Sequence, residues 1–200
     1  MTEQSLALLE RWLAAVVATP GLTSLRSNAA EARRVLLDDA LRGLEVVAAL
    51  PGPIVDVGSG GGTPGIPLAV SLPERMVTLL EAERRKCDFL EQWAAELPNL
   101  EVVWGRAEQQ PLEKYGAALA KALALPHVAV EWCLPLVFEG GAVVIWVGPT
   151  AEVGRVATAA GRLAGEIVES RAGFLVVRKI GPTPPGFPRR PGMAKKRPLA

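Results

Sequence analysis

The sequence contains few of the residues on which metal sites and acid–base catalysis most often depend. Its 200 residues include a single histidine, His127, and two cysteines, Cys87 and Cys133. One histidine excludes a multi-histidine metal site and argues against a histidine base. Two isolated cysteines give neither a disulfide framework nor the ligand spacing of a zinc site. We therefore expect no metal centre, and we expect both thiols to be buried as small apolar side chains.

Long apolar segments and targeting signals are also missing. No apolar run reaches the roughly 18 residues that span a membrane. Residues 1–9 contain no basic residue and no signal-peptide pattern, so we expect a cytoplasmic protein without a membrane partner. Half of the residues are hydrophobic and 22% are charged, which is typical of a globular chain. We expect one domain with a substantial core, and a monomer.

Acidic residues are absent from the last part of the sequence. After Glu169 there are eight basic residues and no acid, which leaves 14 basic against 21 acidic residues, a net charge of −7, in residues 1–169. The proline-rich segment 181–200 reads as an extended tail. Its predicted RNA-binding residues are Arg189, Arg190, Lys195, Lys196 and Arg197. An acidic body with a basic tail indicates a polyanion partner, and a solubilising tail is the alternative.

Hydrophobic periodicity alternates between strand and helix after residue 50. Strands are predicted at 54–57, 76–80, 100–103, 117–120 and 142–147, with a hairpin of 166–169 and 174–180 around a turn at 171–173. Helices are predicted at 4–18, 28–49, 65–71, 83–97, 125–138 and 151–163. This order predicts an α/β, Rossmann-like fold: a mostly parallel sheet with a terminal antiparallel hairpin and helices on both faces. We expect one domain over 1–180, comprising a helical extension (1–50) and a core (51–180), followed by the tail.

The first strand runs into a glycine-rich loop. Residues 54–57 (IVDV) lead into five glycines within 58–65, among them Gly58 and Gly60. Glycine allows a backbone with positive φ and lets a ligand approach the main chain closely. Amides of such a loop, followed by a helix N-terminus, favour polar or anionic groups of a ligand. The spacing lacks the lysine of a phosphate-binding loop, so the loop alone indicates only a nucleotide-like cofactor.

Two acids beside the loop narrow the choice of cofactor. Glu81 ends the second strand, 21 residues beyond Gly60, where a carboxylate can accept hydrogen bonds from a ribose diol. An acid that merely opens the next helix is the alternative. Asp56 stands immediately before the loop, where it would repel the pyrophosphate of NAD but suit the positive charges of S-adenosylmethionine. After the third strand, residues 103–108 (VWGRAE), which include Ala107 and Glu108, are placed to contact an adenine ring. The alternative is that Arg106 and Glu108 only begin a surface helix.

The sequence resembles the glucose-inhibited-division B (RsmG) family, which methylates N7 of a guanine in 16S ribosomal RNA. Residues 56–69 (DVGSGGGTPGIPLA) are similar to the family motif D-V-G-S-G-x-G-F-P-G-I-P-L-A. The resemblance continues in several shorter segments, namely 22–25 (LTSL), 79–81 (LLE), 85–86 (RK), 89–90 (FL), 105–108 (GRAE) and the basic run 187–199. It thus spans about residues 20–199.

The resemblance implies a cofactor and a substrate. By it, S-adenosyl-L-methionine contacts the positions of Gly58, Thr63, Ala107, Glu108 and Lys121, and the partner is 16S rRNA or the small ribosomal subunit. Four sites depart from the family pattern. Thr63 replaces a bulky Phe or Leu, Lys121 replaces an arginine, and Val35 replaces a histidine. Gly116 and Ala117 stand where the family has an acid near the fourth strand. The predicted fold and cofactor class do not depend on these positions. Full activity on the family's usual substrate does depend on them.

The implied reaction suits a sequence with one histidine. Guanine N7 has an in-plane lone pair and no proton at neutral pH, so methyl transfer needs no general base, and orientation of the reactants can supply the acceleration. No catalytic residue is therefore predicted. Two alternatives remain open: a small-molecule methyltransferase of the same fold, and a ribosome-associated relative that binds the cofactor without turnover.

Overall fold

The fold is built on a seven-stranded sheet. The computed structural model describes residues 2–171 and 173–200. The strands are β1 (Ile54–Val57), β2 (Val77–Glu81), β3 (Leu100–Trp104), β4 (Tyr115–Lys121), β5 (Val137–Trp146), β6 (Gly165–Arg171) and β7 (Phe174–Lys179). Their order across the sheet is β3-β2-β1-β4-β5-β7-β6. The first five strands are parallel, and β7 is antiparallel to both β5 and β6.

This architecture confirms the predicted Rossmann-like fold with its terminal antiparallel hairpin. In the hairpin turn predicted at 171–173, Ala172 lies outside the described residues. The helices are α1 (Glu3–Ala18), α2 (Ala29–Ala32), α3 (Asp39–Leu41), α4 (Leu44–Ala48), α5 (Gly65–Ser71), α6 (Arg84–Ala94), α7 (Pro126–Cys133), α8 (Val153–Gly161) and α9 (Met193–Lys196). Helices α1 to α6 cover one face of the sheet, and α7 to α9 cover the other.

The central strands are buried on both faces because helices cover each side of the parallel sheet. Side chains along a strand point alternately to opposite faces. In β1, Ile54 belongs to the core beneath α1 and α5, whereas Val55 and Val57 belong to the core beneath α7 and α8. Asp56 is two residues from Ile54 and therefore lies on the α5 side of the sheet.

Two of the predicted helices are interrupted in the structure. The predicted helix 28–49 begins after the N-cap Asn28, contains a π-helical turn at Arg33–Asp38, and breaks between α3 and α4 around Gly43, a weak helix former. The predicted helix 125–138 ends at Cys133. Pro135, which has no amide hydrogen, lies in the 3₁₀ turn Leu134–Leu136 that follows, and β5 then begins at Val137.

The tail differs most from its prediction. It was expected to be extended and without helix, but it contains the short helix α9 and folds back onto the body of the protein. Ala194 is buried, and Phe187 and Leu199 pack against the core beneath α7 and α8. The amide of Thr183 donates a 2.6 Å hydrogen bond to Glu113, which fixes the start of this segment.

Candidate functional site

A cavity of about 700 Å³ opens at the carboxyl ends of β1, β2, β3 and β4. In an open parallel sheet this edge is the usual place for a ligand, because the loops after adjacent strands meet there. Seven of the predicted cofactor residues line it: Gly58, Gly60, Thr63, Glu81, Ala107, Glu108 and Lys121. The structure therefore brings together residues that are up to 63 positions apart in the sequence.

The glycine loop lies directly against the segment that follows β4. Gly58 has a φ of +71°, and a Cβ at this position would stand 2.4 Å from a methyl carbon of Leu123. The backbone conformation therefore favours glycine, and a Cβ at this position would also force the Leu123 side chain to shift. This contact forms the floor of the cavity between the ends of β1 and β4.

Glu81 is almost fully buried and is held by two main-chain amides. Its Oε2 accepts a 2.9 Å hydrogen bond from the amide of Gly60, and its Oε1 accepts one of 2.9 Å from the amide of Glu83. The carboxylate is 7% exposed and lines the cavity. Because each carboxylate oxygen can accept more than one hydrogen bond, Glu81 keeps acceptor capacity for a ligand.

Asp56, also predicted to contact the cofactor, is buried and is not among the residues that line the cavity. It is 1% exposed, and its Oδ2 accepts a 3.0 Å hydrogen bond from the amide of Gly65 at the start of α5. Burial raises the pKa of Asp56 to about 7, against the lowering effects of the Gly65 amide and the Ser59 side chain. Asp56, at the end of β1, thus ties the start of the glycine loop to the first residue of α5.

Two of the departures from the family pattern, Thr63 and Lys121, both contact the π-helical turn. The hydroxyl of Thr63 donates to the main-chain oxygen of Leu36 at 2.7 Å. The ammonium of Lys121 donates to the main-chain oxygen of Val35 at 2.9 Å and lies 3.4 Å from Asp39. The helical extension is therefore tied to the loop after β1 and to the end of β4, and Val35 and Leu36 line the cavity with them.

The tail reaches the opposite side of the cavity. The amide of Gly192 donates a 3.2 Å hydrogen bond to Glu108, and the ammonium of Lys195 lies 5.2 Å from the ring centre of Trp132. Both Lys195 and Trp132 line the cavity. The sequence analysis assigned Lys195 to RNA and gave Trp132 no role in the site. Neither proximity to the cavity could be read from the local sequence, because it arises from the folding back of the tail.

Arg189 binds a buried carboxylate of the body. Its guanidinium donates two hydrogen bonds of 2.5 Å to Glu131, which is 3% exposed, and a third of 2.9 Å to the main-chain oxygen of Arg197. These contacts occupy the group that was predicted to contact RNA. In contrast, Arg190, Lys196 and Arg197 are exposed.

One wall of the cavity is formed by a loop to which the sequence analysis assigned no functional role. The loop of Leu22, Thr23, Ser24 and Leu25, between α1 and α2, lines the cavity. Its only signal in the sequence was the resemblance at 22–25. Arg106 also lines the cavity and is exposed.

Within residues 2–171 and 173–200, no group of three or more His, Cys, Asp or Glu side chains could hold a metal ion. Across the same residues, no helix has the length and apolar character needed to cross a membrane.

Comparison with known proteins identifies the family. Residues 2–162 match the model of the family described as rRNA small subunit methyltransferase G. The chain belongs to this family. A ribosomal RNA small subunit methyltransferase G of Pelotomaculum thermopropionicum is 33% identical, over an alignment that covers 100% of this chain and 92% of that protein. Its namesake in a Synechococcus species is 36% identical and is matched over 80% of this chain and 72% of its own length. The family makes the protein an S-adenosylmethionine-dependent methyltransferase.

Solved structures share the fold at low sequence identity. A variant of the 16S rRNA (adenine(1408)-N(1))-methyltransferase from Catenulisporales acidiphilia has a TM-score of 0.57 and 16% identity, over 74% of this chain and 92% of that one. The protein TYW2 of M. jannaschii in complex with AdoMet has a TM-score of 0.51 and 14% identity, over 70% of this chain and 73% of that one. At these identities the comparison supports the methyltransferase fold alone.

Proposed function

We propose that this protein methylates N7 of a guanine in 16S rRNA, as free RNA or within the small ribosomal subunit. The observation that carries the proposal is the arrangement of the glycine loop and the Glu81 carboxylate around one cavity, in a chain of the methyltransferase G family. The cavity volume of about 700 Å³ is within the range for cofactor sites.

The cavity suits S-adenosylmethionine on the chemistry of its lining. A Cβ at Gly60 would meet only one atom within 4 Å, the carbonyl oxygen of Gly58, so it would occupy cavity space. We assign the acceptance of ribose hydroxyls to Glu81, and contact with the adenine end to Ala107 and Glu108, which follow β3. Thr63 and Lys121 line the wall formed with the π-helical turn. When bound, the cofactor supplies the methyl group.

The chain's residues then have one task, which is to hold the acceptor in line with that methyl group. Guanine N7 attacks through its lone pair and loses no proton, so no base is needed. The single histidine, His127, lies in the first turn of α7 and does not line the cavity. Burial lowers the pKa of His127, with Arg155 adding to the effect. The acceptor guanine must be unstacked to reach a cavity of this kind.

We assign RNA phosphate contacts to exposed basic residues of the cavity rim and of the tail. These are Arg106, Arg190, Lys196 and Arg197. Their charges are spread along an irregular, proline-containing surface, which suits contacts to a backbone rather than to base edges. Arg189 and Lys195 are left out of this set because one binds Glu131 and the other lies over Trp132.

The test is transfer of a labelled methyl group to 16S rRNA and to small ribosomal subunits that lack the modification. Nucleoside digestion and mass spectrometry should find 7-methylguanosine, and the Glu81→Ala variant should give none. Labelling of small metabolites but not RNA would instead support a small-molecule methyltransferase. Cofactor binding without methyl transfer to either substrate would support a ribosome-associated protein without turnover, and would contradict the proposal.

A further inference from the structure

We propose that the tail is part of the cofactor site and closes the adenine end of the cavity through Gly192 and Lys195. This inference rests on the proposed function, because it requires S-adenosylmethionine to occupy the cavity with its adenine beside Ala107 and Glu108. It gives the tail a role other than RNA binding and assigns Lys195 to the cofactor.

The first argument is that the tail is held in place by buried contacts. Glu131 lies in α7 with only 3% of its surface exposed. A carboxylate at such a position is costly unless it is paired, and the bidentate guanidinium of Arg189 supplies the pair. Ala194 is 2% exposed in the core beneath α7 and α8. The tail is therefore packed as an element of the fold between Arg189 and Ala194.

The second argument is that the packed tail touches residues assigned to the cofactor. The amide of Gly192 donates a 3.2 Å hydrogen bond to Oε1 of Glu108. Lys195 extends from α9 over the indole of Trp132 and lines the cavity. One short segment thus contacts Glu108 on one side and covers Trp132 on the other.

The third argument is an unpaired polar atom at the same end. In the part of the chain that the structure describes, the indole nitrogen of Trp132 is buried without a hydrogen-bond partner. Trp132 is 9% exposed and lines the cavity. A buried donor without a partner costs free energy, so the packing around this indole is weak at the end of the cavity that the tail reaches. Lys195 adds a cation beside the Trp132 ring at this end, and the ring nitrogens of adenine are acceptors that a cation suits.

A wall made by a separate segment couples ligand binding to the docking of that segment. The tail forms part of the site only when it is docked, so bound cofactor shifts the docking equilibrium toward the docked tail. By reciprocity, undocking of the tail lowers the affinity for the cofactor by the same factor. Undocking should remove only the contacts made by the adenosine portion of the ligand, which lies beside the tail. Ligands that share the adenosine moiety but differ elsewhere should therefore respond alike.

The experiment measures binding of S-adenosylmethionine and of 5′-methylthioadenosine, which lacks the amino-acid portion, by calorimetry on the full chain. Lys195→Ala removes the cover over Trp132, and the double variant Arg189→Gln with Glu131→Gln weakens docking without leaving a buried charge. The matched control is Lys114→Ala. Lys114 lies 5.1 Å from the ring centre of Tyr115, away from the cavity, and its loss removes a contact of the same kind.

We expect Lys195→Ala to weaken both ligands about fivefold and the double variant to weaken both about tenfold or more, with the control unchanged. Trypsin should cut the wild-type tail after Arg189, Lys195 and Lys196 more slowly when 5′-methylthioadenosine is bound. Thermal unfolding of each variant checks that the body is folded.

The outcomes separate this inference from the proposed function. A wild-type chain that does not bind S-adenosylmethionine would overturn both. Wild-type binding that Lys195→Ala and the double variant leave unchanged would overturn the inference alone, as would weaker RNA binding by these variants at unchanged cofactor affinity. A loss confined to S-adenosylmethionine, with 5′-methylthioadenosine unaffected, would place the tail at the other end and also overturn it.

Discussion

The hydroxyl of Thr63 donates a 2.7 Å hydrogen bond to the main-chain oxygen of Leu36 in the π-helical turn. The neighbouring carbonyl, that of Val35, accepts a 2.9 Å hydrogen bond from Lys121. Two consecutive carbonyls of one turn are therefore held by side chains from the loop after β1 and from the end of β4. Thr63, Lys121 and Val35, three positions at which this chain departs from the family pattern, thus meet at one wall of the cavity.

Removing the Thr63 hydroxyl should destabilise the protein. Thr63→Val keeps the side-chain shape but leaves the Leu36 carbonyl without its donor, so we expect the free energy of unfolding to fall by about 1 kcal/mol. Thr158→Val is the control. The hydroxyl of Thr158 bonds the carbonyl of Gly154 on an exposed helix surface, where water can replace it, and its loss should cost less than about 0.5 kcal/mol. Urea unfolding measures both, and equal losses would show that the Thr63 contact adds nothing specific.

Glu81 should be required as an acceptor and not merely as a polar side chain. Glu81→Gln places an amide NH₂ where a carboxylate oxygen now accepts from Gly60 or Glu83, so a donor faces a donor. We expect S-adenosylmethionine to bind at least about tenfold more weakly, as the loss of a charge-assisted acceptor predicts. Calorimetry with the exposed Glu139→Gln as control measures the effect. Wild-type affinity in Glu81→Gln would remove Glu81 from the site.

Much of this site was predictable because its positions follow from local rules. A β-branched run that ends in glycines predicts a strand and a ligand loop, and the carboxyl ends of parallel strands meet at one edge of the sheet. Glu81 could therefore be placed from sequence. The same alternation along β1 puts Asp56 on the face of Ile54, beneath α5. The contact of Asp56 with the amide of Gly65 could therefore be expected from the alternation of side chains along β1.

The tail and the helical extension could not be predicted in the same way. The pairing of Arg189 with Glu131 joins residues 58 positions apart, and nothing near either residue indicates the other. Composition described the tail correctly as basic and proline-rich, yet packing of Ala194 and Phe187 decides where it lies. The π-helical turn likewise depends on contacts from Thr63 and Lys121, which no helical periodicity contains.

Ionisation of Asp56 should make the stability fall as pH rises. Its pKa is about 7 in the folded protein and close to 3.8 without the fold. Well below pH 3.8 both states carry the proton, so the protein has the full contribution of this group. Between pH 4 and 7 the unfolded state loses the proton first, and stability declines by up to about 1.4 kcal/mol per pH unit.

The Asp56→Asn variant should lack this component while keeping an oxygen to accept from Gly65. Urea unfolding at several pH values between 4 and 8 measures it, with the exposed Asp88→Asn as the control for a charge change. We expect the difference between Asp56→Asn and the wild type to grow in favour of the variant as pH rises to about 7. Parallel profiles would contradict the raised pKa.

Salt dependence should identify which basic residues of the tail meet RNA. Each phosphate contact to a single strand releases counterions and contributes about 0.7 to the slope of log affinity against log salt. The triple variant of Arg190, Lys196 and Arg197 to Ala should therefore bind a 16S rRNA fragment more weakly and lower the slope by up to about 2.1. The contacts of Arg189 and Ala194 with the body remain in this variant, so the tail should stay docked and cofactor affinity should not change.

The control for the triple variant removes equal charge elsewhere. Alanine replaces Arg11, Arg34 and Arg162, exposed residues that do not line the cavity. Because phosphate contacts act at short range, the control should leave most of the salt slope in place, and only the general attraction should decrease. A slope that falls equally in both variants would mean that the tail acts through net charge alone. It would contradict direct phosphate contacts by Arg190, Lys196 and Arg197.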